Sequence, residues 1–122
     1  PAAFLVDKCE NVYVSGWGGG LINGIALHNM PTTSNALQQT SGDGFNFYLF
    51  VLEKDAQSLL YGTYFGGSSS QEHVDGGTSR FDKNGVIFYF FNMHRRFHKT
   101  YSNKIHFIRL SKFYHSNVSF CY

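Results

Sequence analysis

The sequence predicts an all-β fold of short antiparallel strands, and three observations carry that expectation. The chain of 122 residues is 18% aromatic and holds 13 glycines against 2 prolines, a balance that suits short strands joined by tight glycine turns. Its apolar runs are strand-length, bounded by turn residues, and rich in β-branched and aromatic side chains. One hairpin pattern occurs twice. No helix is expected in residues 1–88 beyond one short turn at residues 34–40.

Taken in order, the chain opens at Pro1-Ala2-Ala3 within a strand-like run, so it reads as a piece of something longer. Asn11 to Gly16 is the next strand candidate and ends on glycine. Phe45 to Leu52 is apolar on both alternating faces, so this strand should be covered on both sides. Leu59 to Phe65 follows the turn-like Lys54 to Ser58, and Gly66 to Ser70 reads as a flexible loop. Thr78 to Phe81 and Gly85 to Phe88 flank the turn Asp82-Lys83-Asn84-Gly85, where Asn-Gly favours positive φ.

Asp7-Lys8-Cys9-Glu10-Asn11-Val12-Tyr13 aligns without gaps on Asp82-Lys83-Asn84-Gly85-Val86-Ile87-Phe88, an offset of 75 residues. Each copy is a strand, an Asp-Lys turn and a second apolar strand. A long polar loop and two more strands lie between the copies. A unit of about four short antiparallel strands is the size of a β-propeller blade, and the chain amounts to about one and a half of them.

These residues resemble a known family. Asn11 to Gly16, the Pro-Thr-Thr of Met30-Pro31-Thr32-Thr33 with Ala36 and Gln38, and Phe47 to Leu52 followed by Leu59-Leu60-Tyr61-Gly62-Thr63-Tyr64-Phe65-Gly66-Gly67 are similar to the SBBP (seven-bladed β-propeller) repeat. With Gly16-Trp17-Gly18-Gly19 and Glu72 to Asp82, the string resembles a subgroup in large secreted or surface proteins of gliding bacteria. Proteins of that subgroup often carry PKD domains and a type IX sorting domain. The resemblance spans residues 3–88. It implies a secreted or cell-surface location, neighbouring blades of a longer chain as partners, and a non-enzymatic role in adhesion, gliding motility or contact with a surface polymer or protein. Propellers host many activities, so the fold alone assigns none. A propeller enzyme of glycosidase or lyase type is the alternative, and it would need paired carboxylates at the propeller's mouth.

Residues 89–122 differ in character. Residues 1–88 carry four basic and eight acidic side chains, a net −4, whereas residues 89–122 carry six basic side chains and no acid, a net +6. Every glycine lies at or before Gly85, and Tyr89 to Tyr122 lacks Ala, Gly, Pro, Asp, Glu, Gln and Trp. The tail favours residues with AT-rich codons. The expectation is therefore a blade fragment at 1–88 and an appended basic, aromatic tail at 89–122, out of frame or disordered. Binding of nucleic acid or a membrane surface through that tail is the functional alternative. No RNP-type, helix-turn-helix or zinc-finger spacing supports nucleic acid, so none is expected as a partner. No run approaches the roughly 18 apolar residues of a membrane span.

No catalytic constellation and no cofactor motif stands out. Gly16-Trp17-Gly18-Gly19-Gly20-Leu21 misses the dinucleotide fingerprint, and Trp17 reads as a packing or ligand-contact residue. Glu72-His73-Val74-Asp75 reads as a polar loop; Glu72 and Asp75 are candidate Ca²⁺ ligands and His73 a candidate ligand contact. His94 and His98 have the zincin spacing, but Arg95 stands where the general base belongs. Asn117-Val118-Ser119 is a glycosylation sequon by pattern only. Cys9 and Cys121 offer no metal-ligand spacing and read as two unpaired thiols.

Overall fold

A computed structural model describes residues 3–18, 26–42, 45–68 and 81, and the backbone of residues 70, 71–74, 80, 86–95 and 102–109. The described residues are all-β apart from one short 3₁₀ turn. The first sheet contains β1 (Ala3–Val6), β2 (Val12–Trp17), β3 (Phe47–Leu52) and β4 (Leu59–Phe65). Its strands are antiparallel in chain order, β1-β2-β3-β4. The second sheet contains β5 (Ser70–Val74), β6 (Arg80–Phe81), β7 (Val86–Arg95) and β8 (Ser102–Arg109). There β5 and β6 both pair antiparallel with β7, and so does β8.

Alternation along the strands gives the first sheet two faces. The register aligns Leu5, Tyr13, Val51 and Tyr61 in one row and Ala3, Ser15, Leu49 and Thr63 in the next. Tyr13, Phe47, Leu49, Val51 and Tyr61 are buried on this face and form the core, with Leu5, Trp17, Phe65 and Phe81 packed against them. Phe81 comes from β6 of the second sheet. Its ring meets Tyr13 edge-on, with centroids 5.8 Å apart. The β3–β4 pairing shifts register between Val51 and Leu52, a bulge that brings Leu60 against the same core.

The β1–β2 turn is built on Asp7. One carboxylate oxygen accepts from the backbone N–H of Cys9 and of Asn11, both at 2.9 Å. The other accepts from Asn11 Nδ2 at 2.9 Å and from the Tyr13 hydroxyl at 3.1 Å. Closing this turn places Glu10 at φ 67, in the left-handed region.

The 75-residue repeat seen in the sequence recurs in the pairing. Val6 pairs with Val12 and Leu5 with Tyr13 in the first hairpin; Phe81 pairs with Ile87 and Arg80 with Phe88 in the second. Adding 75 to either residue of the first pairs gives the second pairs. By the same offset the sequence equivalent of Glu10 is Gly85, the residue type that takes a left-handed conformation without steric cost. Glu10→Gly is therefore expected to stabilise the fold by about 0.5–1 kcal/mol, relief of the left-handed strain outweighing the freer unfolded chain. The exposed ion pair of Glu10 with Lys54 is lost in that variant, but such pairs contribute little. Equilibrium urea unfolding of the two proteins checks this.

The outer edge of β4 is sealed by the β2–β3 connection. Thr33 N–H donates to the Gly62 carbonyl at 3.1 Å and Tyr64 N–H donates to the Gln38 carbonyl at 2.9 Å. Gly62 N–H donates to Thr33 Oγ1 at 3.4 Å, and Gly66 N–H to Gln38 Oε1 at 3.1 Å. Residues 62, 64 and 66 alternate along the strand, so their amides share its free edge. An unpaired edge is a template for aggregation, and here a loop occupies it. This is the Pro-Thr-Thr-x-x-Ala-x-Gln stretch that the sequence singled out.

Several expectations need correction. Glu72 and His73 lie in β5, not in a loop; pairing with β7 outweighs the low strand preference of their types. Asp75 and the turn at residues 82–85 lie outside the described residues. The compositional break after Phe88 falls inside β7, and residues 102–109 of the tail form β8 along β7. Cys9 is disulfide-bonded, contrary to the expected free thiol; two cysteines without metal-ligand spacing can still be brought within bonding reach by the fold. Cys121, the other cysteine, lies outside the described residues, as do His98 and Asn117.

Candidate functional site

The face of the first sheet opposite the core is also apolar. Phe4, Val14 and Phe50 align across β1, β2 and β3, and Val6, Val12 and Leu52 align beside them. None of these six is buried, and Phe4 and Val6 keep 66% and 47% of their surface exposed. Toward the Trp17 end this face forms an open groove of about 560 Å³, lined by Val14, Gly16, Trp17, Leu27, Met30, Tyr48 and Phe50. β2 and β3 supply the floor. The β2–β3 connection supplies Leu27 and Met30 as a wall.

The wall is held by tyrosines. Tyr48 donates its hydroxyl to the Pro31 carbonyl, and the Met30 N–H donates to the Tyr64 hydroxyl at 2.7 Å. The two rings pack at 5.2 Å, and Phe50 extends the aromatic row 5.6 Å from Tyr48. Burial, and next the neighbouring Tyr64, push the Tyr48 phenol up to about 12. It therefore stays protonated, and its proton is already engaged by Pro31. The described lining residues of the groove offer contact area and aromatic faces.

Trp17 is the sequence-predicted residue that the structure places in a concave site. Half-buried at the end of β2, it packs against the core and lines the groove. Glu72 and His73 stand on β5, which approaches β2 from the second sheet. No group of three or more His, Cys, Asp and Glu able to hold a metal occurs among the described residues. Ser41 and His28 meet at 3.2 Å between Oγ and Nδ1. Ser41 is buried, so this contact ties down the connection and does not present a nucleophile to substrate. Leu27, Met30 and Tyr48 escape sequence reading as site residues, because only the fold of the long connection brings them beside Trp17. No helix among the described residues is long and apolar enough to cross a membrane.

Compared with known proteins, the chain matches no family model, no curated protein and no solved structure.

Proposed function

We propose that this chain is a non-enzymatic scaffold or binding segment of a secreted or cell-surface β-propeller of the SBBP type, serving adhesion, gliding motility or polymer contact. The observation that carries the reading is the repeated hairpin: two copies 75 residues apart share one register, and the second copy's Phe81 packs on the first copy's Tyr13. Propellers are built by repeating antiparallel units; the hairpin is the part that recurs here, while the first sheet runs in chain order and the second sets β5, β6 and β8 on β7. An apolar second face on the first sheet fits a further blade on that side. The Cys9 disulfide fits an oxidising compartment outside the cytosol, where such bonds persist.

A binding screen tests this. The purified chain is incubated with insoluble polysaccharides and with immobilised surface proteins, and both retention and product release are measured. Retention on one class without release of reducing or unsaturated sugar ends is the expected result. Sugar ends released in proportion to protein would replace this reading with a glycosidase or lyase. Retention only on nucleic acid, with steep salt dependence that vanishes when residues 89–122 are removed, would replace it with a basic-tail binder.

A further inference from the structure

We propose that Cys9 is bonded to Cys121 and that this bond is a redox-sensitive clasp holding the second sheet on the first. Cys9 is disulfide-bonded within a single chain, and the sequence holds one other cysteine, Cys121. The inference does not depend on the propeller reading. It follows from where the strands set the two stretches of chain.

Cys9 sits in the β1–β2 turn. Its N–H donates to the Asp7 carboxylate at 2.9 Å, which fixes its backbone, and half-burial leaves it within reach of a small reductant. The second sheet approaches the same end of the first. Phe81 packs on Tyr13, which follows that turn. From Phe81 the register runs through Ile87 to Ile108, across β6, β7 and β8. Neighbouring strands lie about 4.8 Å apart, so two steps place the Ile108 backbone about 10 Å from that of Phe81. β8 ends at Arg109, paired with Val86 at the start of β7. The 12 residues that lead from Arg109 to Cys121 reach about 40 Å when extended. The chain thus leaves β8 at the end from which the Cys9 turn is within reach. An exit at the opposite end, beside Met93, would add the length of β8 to the path.

A cross-link restrains the unfolded chain most when the loop it closes is long, and this one encloses both sheets. Within the first sheet, strand pairing and the seal on β4 do not need the bond. Its loss therefore acts mainly on the second sheet. Reduction is a thiol–disulfide exchange. One thiolate of a dithiol attacks a sulfur of the bond, and the second thiol then displaces the mixed disulfide. Cys9 and Cys121 gain two electrons and two protons and leave as thiols, while the dithiol becomes a cyclic disulfide. A disulfide donor reverses the step, taking up the two electrons and two protons. The clasp is closed in oxidising surroundings and open in reducing ones.

Dithiothreitol treatment of the full chain tests this, read by non-reducing peptide mapping, thermal melts and amide exchange. The expected map shows a Cys9–Cys121 link within a monomer. Reduction should lower the thermal midpoint by at least about 10 °C. Amides of residues 86–95 and 102–109 should lose protection at least tenfold, with a much smaller loss in β3 and β4. Cys121→Ser should reproduce the reduced behaviour and remove the response to dithiothreitol. Reoxidation of the parent chain with oxidised glutathione should restore the midpoint, a check that needs no variant to fold. A link between two chains overturns the inference, as does a midpoint that reduction leaves unchanged. So does an equal loss of protection in both sheets, which would make the bond a general staple.

Discussion

Gly62→Ala is expected to lower the thermal midpoint by well over 10 °C, or to prevent folding, although it adds a single methyl group to a strand. A Cβ at Gly62 would stand 2.5 Å from the Pro31 carbonyl oxygen, 3.1 Å from the Tyr48 hydroxyl and 3.2 Å from Leu59 Cδ2. The nearest atom is backbone, in a segment tied to β4 by the Thr33 and Gln38 hydrogen bonds, so it does not yield cheaply. Either the strand retreats from β3 or the connection leaves the edge. In the second case the amides at 62, 64 and 66 lose their partners, and the Tyr48 and Tyr64 hydroxyls lose theirs. Overpacking and lost hydrogen bonds together are worth about 3 kcal/mol or more. For a chain of this size about 1 kcal/mol moves the midpoint by several degrees. Circular dichroism melts decide the matter: a variant within 3 °C of the parent would mean that the connection does not lie against β4.

Asp7→Ala should cost nearly as much, for a different reason. Its carboxylate satisfies two backbone amides, the Asn11 side chain and the Tyr13 hydroxyl. Asn11 and Tyr13 are both buried, so their donors would lose this acceptor where water has poor access. Each unsatisfied donor of this kind costs about 1–3 kcal/mol, and the four are coupled, so the total is about 3 kcal/mol and not their sum. Asp7→Asn should recover part of the loss, since its amide oxygen still accepts from the backbone while its nitrogen cannot accept from Asn11 or Tyr13. Urea midpoints of the two variants give the ranking. If Asp7→Asn were as damaging as Asp7→Ala, the backbone half of this network would carry no weight.

Much of the first sheet is legible in the residues, and the reasons are local. Leu59–Phe65 forms the strand its alternation predicts, and β2 lies one residue from the expected span. β3 begins at Phe47 and not at Phe45, because Asn46 is occupied otherwise: its amide donates to the Gly67 carbonyl at 2.8 Å. The two-faced pattern of this strand implies cover on both sides, but among the described residues only the Tyr13 face is covered, and Phe50 and Leu52 on the other face stay partly exposed. The polar Ser70–Val74 does not announce itself as β5, because its strand state comes from its neighbour and not from its own preferences. The same holds for β8, whose composition reads as an appended tail. Trp17 is legible as a contact residue. The groove around it is not, because Leu27 and Met30 reach it through a connection whose path depends on Tyr48 and Tyr64. The Pro-Thr-Thr motif is visible in the sequence, but its purpose as an edge seal emerges only from the hydrogen bonds of Thr33 and Gln38.

That seal has a consequence for how the chain assembles during synthesis. Residues 30–38 leave the ribosome well before residues 59–65, yet they have no edge to occupy until β4 has paired with β3. The β3–β4 hairpin is local and closes quickly, whereas the contact between the connection and β4 spans a longer stretch of chain and closes later. Emergence and docking therefore run in opposite orders. A nascent chain stalled before residue 59 holds its sealing segment ready with nothing to seal.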